Sequence, residues 1–211
     1  EGVLEPVDLV SPRGSLSPDF TAEERDSPAM VGGNVETSQR LVDLLLTALG
    51  WSACSQGTMN NLSFGNDAFG YYETLGGGTG AGPGYDGETA VHSHMTNTRI
   101  TDLEVLEHRH PVRVRRFLVR RQSGGEGAQR GGDGLIRDLE FTEAVQLSLL
   151  TQHRAFGPAG AAGGMAGIAG RQWVQRHDCS CTPLAAIADA ALQPGDRIIV
   201  ETPGGGGWGR P

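Results

Sequence analysis

Leu41, Leu44, Leu45 and Ala48 recur at i, i+3, i+4 and i+7, and Val42, Leu46 and Leu49 widen the stripe. That spacing predicts an amphipathic helix over residues 34–50 with its apolar side buried against a sheet. Asn34, Thr37 or Ser38 can cap its start, and Gly50 can close its end. After Ser52 the period shortens. Residues 61–64, 70–74 and 89–101 are rich in Thr, Tyr, Phe and Val and bounded by Gly or Asn, which reads as strands or extended loops. Residues 102–110 fit a short helix capped by Thr101 or Asp102 and ended by Pro111. Val112 and Val114 alternate with Arg113 and Arg115, the pattern of a half-buried strand over residues 112–121. Residues 135–141 and 145–151 read as two more strands, antiparallel to each other. Residues 183–192 read as an Ala-rich helix and residues 197–202 as a last strand.

These elements predict an α+β fold of short, mostly antiparallel strands with one long buried helix and glycine-rich loops. Pro12, Gly14, Pro18 and Pro28 punctuate a polar stretch over residues 1–33, which reads as an extended lead-in to one partial domain over residues 34–211. Gly and Pro, 33 and 11 of 211 residues, exclude a coiled coil or plain helical bundle, and the glycines lack the three-residue period of collagen. The glycine blocks serve tight turns, close backbone approach or anion nests; tight turns are the expected use.

Charge and missing residue types narrow the chemistry. The net charge of −8 disfavours nucleic acid as a partner. All 17 basic residues are arginine, so a P-loop lysine, a Schiff-base lysine and a Ser-Lys pair are excluded within this chain. No apolar run approaches the roughly 18 residues of a membrane-spanning helix. No signal peptide is visible, and three cysteines make no disulfide framework, so a cytoplasmic setting is expected.

His92-Ser93-His94-Met95-Thr96-Asn97-Thr98-Arg99 is the densest polar cluster. On a strand, His92 and His94 share a face, suited to proton transfer or, with a third ligand, to metal binding. A hydrogen-bonded polar loop fits the same residues. Ser55-Gln56-Gly57-Thr58-Met59-Asn60-Asn61 clusters amides that suit a substrate amide or developing oxyanion, and equally suit a turn network. Glu73 beside the glycine run can orient a substrate N–H or a water, or stand as an exposed acid. Glu36 is explained by the helix dipole and Cys54 as a small buried residue. Gly82-Pro83-Gly84-Tyr85-Asp86-Gly87 matches a dinucleotide fingerprint without its strand and helix. Cys179-Ser180-Cys181 is too short a set for structural zinc.

An ordered set of motifs adds a resemblance. Gly32-Gly33-Asn34-Val35-Glu36-Thr37-Ser38-Gln39-Arg40, the 55–61 segment, Tyr71-Tyr72-Glu73-Thr74, residues 91–99, Arg130-Gly131-Gly132-Asp133-Gly134 and Thr202-Pro203-Gly204-Gly205-Gly206-Gly207 follow one another. Together they resemble the hydantoinase B family, in the C-terminal part of ATP-dependent 5-oxoprolinases and N-methylhydantoinases. The resemblance implies ATP-driven ring opening of 5-oxoproline or a hydantoin. A hydantoinase A-like subunit or domain phosphorylates the amide oxygen, and the B part hydrolyses the activated ring. It carries His92, His94 and Glu73 as catalytic residues and Asn60, Asn61, Asn97 and Arg99 as substrate-binding residues, with no metal ligand. ATP and a divalent metal serve the full enzyme and are not expected to bind this segment. The family's ATP-binding part and the N-terminal half of its B part are absent, and residues 157–181 depart from its pattern, so the chain alone is expected to be inactive. Two alternatives stand beside this: a non-catalytic docking or scaffold segment for the ATP-binding subunit, and a separate metal-dependent amidohydrolase.

Overall fold

The structure is a computed structural model that describes residues 36–211 together with Asp8, Val10 and Gly14. The unit that concerns function spans Gly33–Pro211. The lead-in over residues 1–33, apart from those three residues, and the Asn34 cap lie outside the described residues. The elements in chain order are α1 (Ser38–Ala48), β1 (Asn61–Asn66), β2 (Phe69–Glu73), α2 (Leu103–Arg109), β3 (Val112–Arg120), β4 (Gly134–Phe141), β5 (Val145–Leu150), β6 (Arg171–Gln175), β7 (Cys181–Pro183), β8 (Ile187–Leu192) and β9 (Arg197–Glu201). The fold is α+β, with a four-stranded sheet in the order β2-β1-β5-β8 and a five-stranded sheet in the order β3-β4-β9-β6-β7. Every strand pairing is antiparallel.

The strands form where side chains alternate. Val145, Leu147 and Leu149 are buried while Gln146 and Ser148 are exposed, as period-2 packing on one core face requires. One apolar core draws on both sheets: Leu62, Phe64 and Leu147 from the first, Leu139, Phe141 and Ile198 from the second. Phe64 meets Phe141 edge-on, ring centroids 5.0 Å apart, which ties the sheets together. α2 begins at Asp102, whose carboxylate accepts from the N–H groups of Glu104 (3.0 Å) and Val105 (3.2 Å).

Three expectations are corrected. β4 and β5 do not pair with each other; β4 lies between β3 and β9, and β5 between β1 and β8. Residues 187–192 are strand rather than helix, because the free edge of β5 offers a full ladder that overrides the helix preference of alanine. Residues 89–101 take the loop form of the two expected for them; Val91 makes an isolated bridge to Gly77, and His94 has φ +54°. The helix stripe faces the other way. Gln39 and Asp43 are buried, whereas Leu44, Leu45 and Leu49 are 63%, 53% and 58% exposed.

The first glycine block ends in the expected turn, between Gly82 and Tyr85 with Gly84 at φ +85°, but most of the block glycines serve close backbone approach. Gly78, Gly132 and Gly205 keep φ outside the left-handed region. A Cβ on Gly78 would lie 1.9 Å from the Gly132 carbonyl oxygen, and one on Gly205 would lie 1.8 Å from that of Thr79. The segments therefore stack backbone on backbone, joined by Gly78 N–H to Pro203 O (3.0 Å) and Gly205 N–H to Gly132 O (2.9 Å). This stack fixes the 52–58 turn, since Gln56 N–H donates to Gly78 O (2.9 Å) and Gly206 N–H to Cys54 O (2.8 Å).

Candidate functional site

Gln39 and Asp43, four residues apart, share one face of α1, and Glu36 stands in the turn just before its start. That face is buried against the 52–61 segment and the 90–98 segment. Asp43 joins the two: its Oδ1 accepts from Ser55 N–H (2.8 Å) and lies 2.8 Å from His94 Nε2. A carboxylate acceptor places the hydrogen on Nε2. Gln39 Nε2 donates to Thr96 Oγ1, and the Thr74 and Thr98 hydroxyls meet at 2.7 Å. The histidine segment and the amide turn thus come together on the helix.

Glu36 closes the other end. Its Oε1 accepts from Thr58 Oγ1 (3.0 Å), Asn61 Nδ2 (3.0 Å) and Met59 N–H (3.3 Å). Burial nevertheless outweighs these bonds and the Arg154 charge, and pushes the carboxyl up to about 7. Burial likewise holds His92 below the ordinary imidazole range.

Buried polar atoms ordinarily find partners. Among the described residues nine buried side-chain atoms have none, and six of them sit on these three segments: Glu36 Oε2, Gln39 Oε1, Asp43 Oδ2, Gln56 Nε2, His92 Nδ1 and Ser93 Oγ. Carboxylate, amide and hydroxyl groups therefore present spare donors and acceptors in one region, which marks it as the place where a polar ligand or water belongs.

The other expected residues divide. Asn60 is buried at φ +45°, which Asn tolerates; its amide donates to Gln56 Oε1 (2.7 Å) and its oxygen accepts from Arg154 Nη2 (2.9 Å). Asn61 is buried and matched on both sides, to Glu36 and to the Tyr72 hydroxyl (2.5 Å). Both hold the turn. Asn97 and Arg99 are exposed and are not drawn into the buried cluster. Glu73 is neither exposed nor in this cluster. Arg137 Nε and Nη2 donate to its two oxygens at 2.9 and 3.0 Å, and Tyr71 adds a third donor at 2.9 Å. With these contacts made inside the core, Glu73 on β2 is paired across the two sheets with Arg137 on β4. The strand premise for His92 and His94 also fails, because the positive φ at His94 breaks the alternation.

Sequence reasoning missed Gln39 and Asp43 and set Glu36 aside. Their signal was the polar stripe opposite the leucines, which reads as a solvent face until tertiary contacts are known. No three His, Cys, Asp or Glu side chains are grouped as metal ligands among the described residues. The chain has no lysine for a nucleotide-phosphate loop.

Two antiparallel sheets and a helix whose polar face turns inward define an α+β segment. The model of the hydantoinase B/oxoprolinase family matches residues 1–211, and the chain belongs to that family. It is 48% identical over 210 residues to 5-oxoprolinase 1 of Arabidopsis thaliana, and 46% identical over 211 residues to a 5-oxoprolinase of Dictyostelium discoideum. Those alignments cover 99% and 100% of this chain but 16% of each relative, so the chain spans about one sixth of their length. The crystal structure of an ATP-dependent caprolactamase from Pseudomonas jessenii shares the fold, with TM-score 0.62 and 24% identity over 76% of this chain and 31% of that one. No helix among the described residues is long and apolar enough to cross a membrane.

Proposed function

We propose that this chain supplies a proton-handling and positioning segment to an ATP-dependent enzyme that opens a cyclic amide, 5-oxoproline or a hydantoin. Family membership and the relatives' names support the reaction class. The observation that carries the site is the Asp43–His94 pair set among unpartnered buried donors and acceptors. An amide carbon is a poor electrophile, so hydrolysis needs activation of its oxygen and a base for the attacking water. His94 donates Nε2–H to Asp43, which leaves Nδ1 to take that proton. Asp43, held by Ser55 N–H, orients the ring and stabilises its cationic form. Gln56 Nε2 is a neutral donor suited to a ligand carbonyl. Glu36 is a second proton carrier, and His92 lines the site in its neutral form. ATP and a divalent metal belong, in this reading, to the rest of the protein or to a hydantoinase A-like partner. A cytoplasmic setting is part of the same proposal, supported by three free cysteines.

The test is ATP-dependent ring opening by the protein assembled with its ATP-binding part. His94→Ala and Asp43→Asn should lower product formation about 10²–10⁴-fold and remove one limb of the pH–rate profile. Wild-type turnover in His94→Ala would defeat the proposal. A second reading, a docking segment without catalytic residues, is favoured by the exposed Leu44, Leu45, Leu49 and Trp51. Under it His94→Ala keeps full turnover, whereas Leu45→Glu loses the partner.

A further inference from the structure

A cleft of about 410 Å³ opens beside the polar helix face, between Arg40 on α1, Cys54, and the segment after β5 that carries His153, Arg154 and Phe156. Arg154 is its most telling wall. Its Nε donates to Gln172 Oε1 (3.0 Å), Nη1 to Gln152 O (2.6 Å) and Nη2 to Asn60 Oδ1 (2.9 Å), all neutral acceptors. Among the described residues no carboxylate lies within 4.0 Å of either Arg154 or Arg40. The contrast with other internal arginines is direct: Arg137 pairs with Glu73 at 2.9 Å and Arg120 with Glu201 at 3.0 Å. Buried charges are ordinarily paired, because an uncompensated one loses its hydration and gains nothing in return.

Two further groups shape the cleft. His153 Nδ1 lies 2.9 Å from Phe156 O, so Nδ1 carries the hydrogen and the buried Nε2 is left without a partner. Gly57, at φ +59°, lets the Arg40 guanidinium lie against the turn; a Cβ there would come 3.0 Å from Arg40 Nη1. Burial and the nearby Arg120 lower Arg154 to about 9, so it is still cationic at neutral pH. The Glu36 charge acts on Arg154 across space without touching it.

We propose that this cleft binds a small anion, a carboxylate or a phosphate, between Arg40 and Arg154, with His153 Nε2 accepting an N–H or O–H of the same ligand. Guanidinium groups match both oxyanions in geometry and charge. A lactam carboxylate offers two oxygens and one N–H; monohydrogen phosphate offers oxygens and one O–H. The choice of a lactam carboxylate rests on the proposed reaction, whereas phosphate tests the cleft independently of it.

The experiment is calorimetric titration of the purified protein at constant ionic strength in chloride, with 5-oxoproline, inorganic phosphate and 2-pyrrolidinone, which keeps the ring and N–H but lacks the carboxylate. At least one anion should bind with one-to-one stoichiometry. Arg40→Gln should weaken it about tenfold or more, the worth of one charge-assisted hydrogen bond. Arg40 is exposed at its outer side, so this variant should keep the wild-type melting midpoint. Arg40→Lys should restore part of the affinity. Binding of 5-oxoproline alone assigns a substrate carboxylate; binding of phosphate alone assigns a phosphoryl product. If 2-pyrrolidinone binds as tightly as 5-oxoproline, the carboxylate is struck out. If neither anion binds, or Arg40→Gln leaves both affinities unchanged, the proposal is overturned. The readout is binding rather than turnover, so failure of the ring-opening reading does not mimic failure of this one.

Discussion

Among the described residues, replacing Glu73 by Gln removes the only carboxylate paired with Arg137, a residue that is 0% exposed. The guanidinium keeps its charge, and one of its nitrogens, Nη1, is already without a hydrogen-bond partner. What remains near it is the Phe117 ring, 5.1 Å from the guanidinium carbon to the centroid, which replaces little of the lost attraction. Breaking a buried pair from one side costs about 3–5 kcal/mol. At about 2–4 °C per kcal/mol for a domain of this size, the melting midpoint should fall by about 6–20 °C. Glutamine retains one acceptor and marks the mild end; Glu73→Leu marks the severe end. Glu73→Leu combined with Arg137→Met should recover most of the loss, because an apolar pair of similar volume leaves no stranded charge. Thermal melts followed by circular dichroism, with urea titrations, measure all four proteins. A loss below about 1 kcal/mol in Glu73→Gln, or a double variant less stable than Glu73→Leu alone, would refute the structural role given to this pair.

Other outcomes follow from the same geometry. Glu36 has its carboxyl raised from 4.5 to about 7 in the folded state, so between those values the native protein binds more protons than the unfolded chain. Stability should therefore fall as pH rises through that window and level off above it. Glu36→Gln should flatten the decline in a series of urea titrations, and an unchanged slope would show that Glu36 is not its source. Gly78→Ala would place a methyl group 1.9 Å from the Gly132 carbonyl oxygen, and should cost more than about 3 kcal/mol or abolish soluble expression. Wild-type yield and melting midpoint would argue against the glycine stack. Leu45→Glu, at a half-exposed position, should change the stability of this chain by no more than about 0.5 kcal/mol. A loss above about 2 kcal/mol would mean that the leucine stripe is packed inside.

Periodicity carried the elements whose partners are local. Alternating Val145, Leu147 and Leu149 define a strand wherever it pairs, and Asp102 caps α2 through N–H groups two and three residues away. The site was half legible. The amide turn and the histidine segment stood out as polar clusters, and the ordered motifs led to the correct family. The element that joins them did not stand out, because Asp43 meets Ser55 and His94 at separations of 12 and 51 residues. The pairing of Glu73 was hidden for the same reason: its partner Arg137 is 64 residues away, inside a strand that looks half-polar.

The chain's own order of residues determined most of the strands and the two contrasting faces of α1, whereas residues 187–192 became strand only through the edge of β5. Tertiary structure decided which face turns inward. A period of 3.6 residues separates leucines from Gln39 and Asp43, but it says nothing about what waits on either side. The 52–58 turn, pinned by the glycine stack, brings Ser55 N–H to Asp43, a polar partner that apolar side chains cannot satisfy. That unmet need turned the polar face inward and left Leu44, Leu45 and Leu49 at the surface.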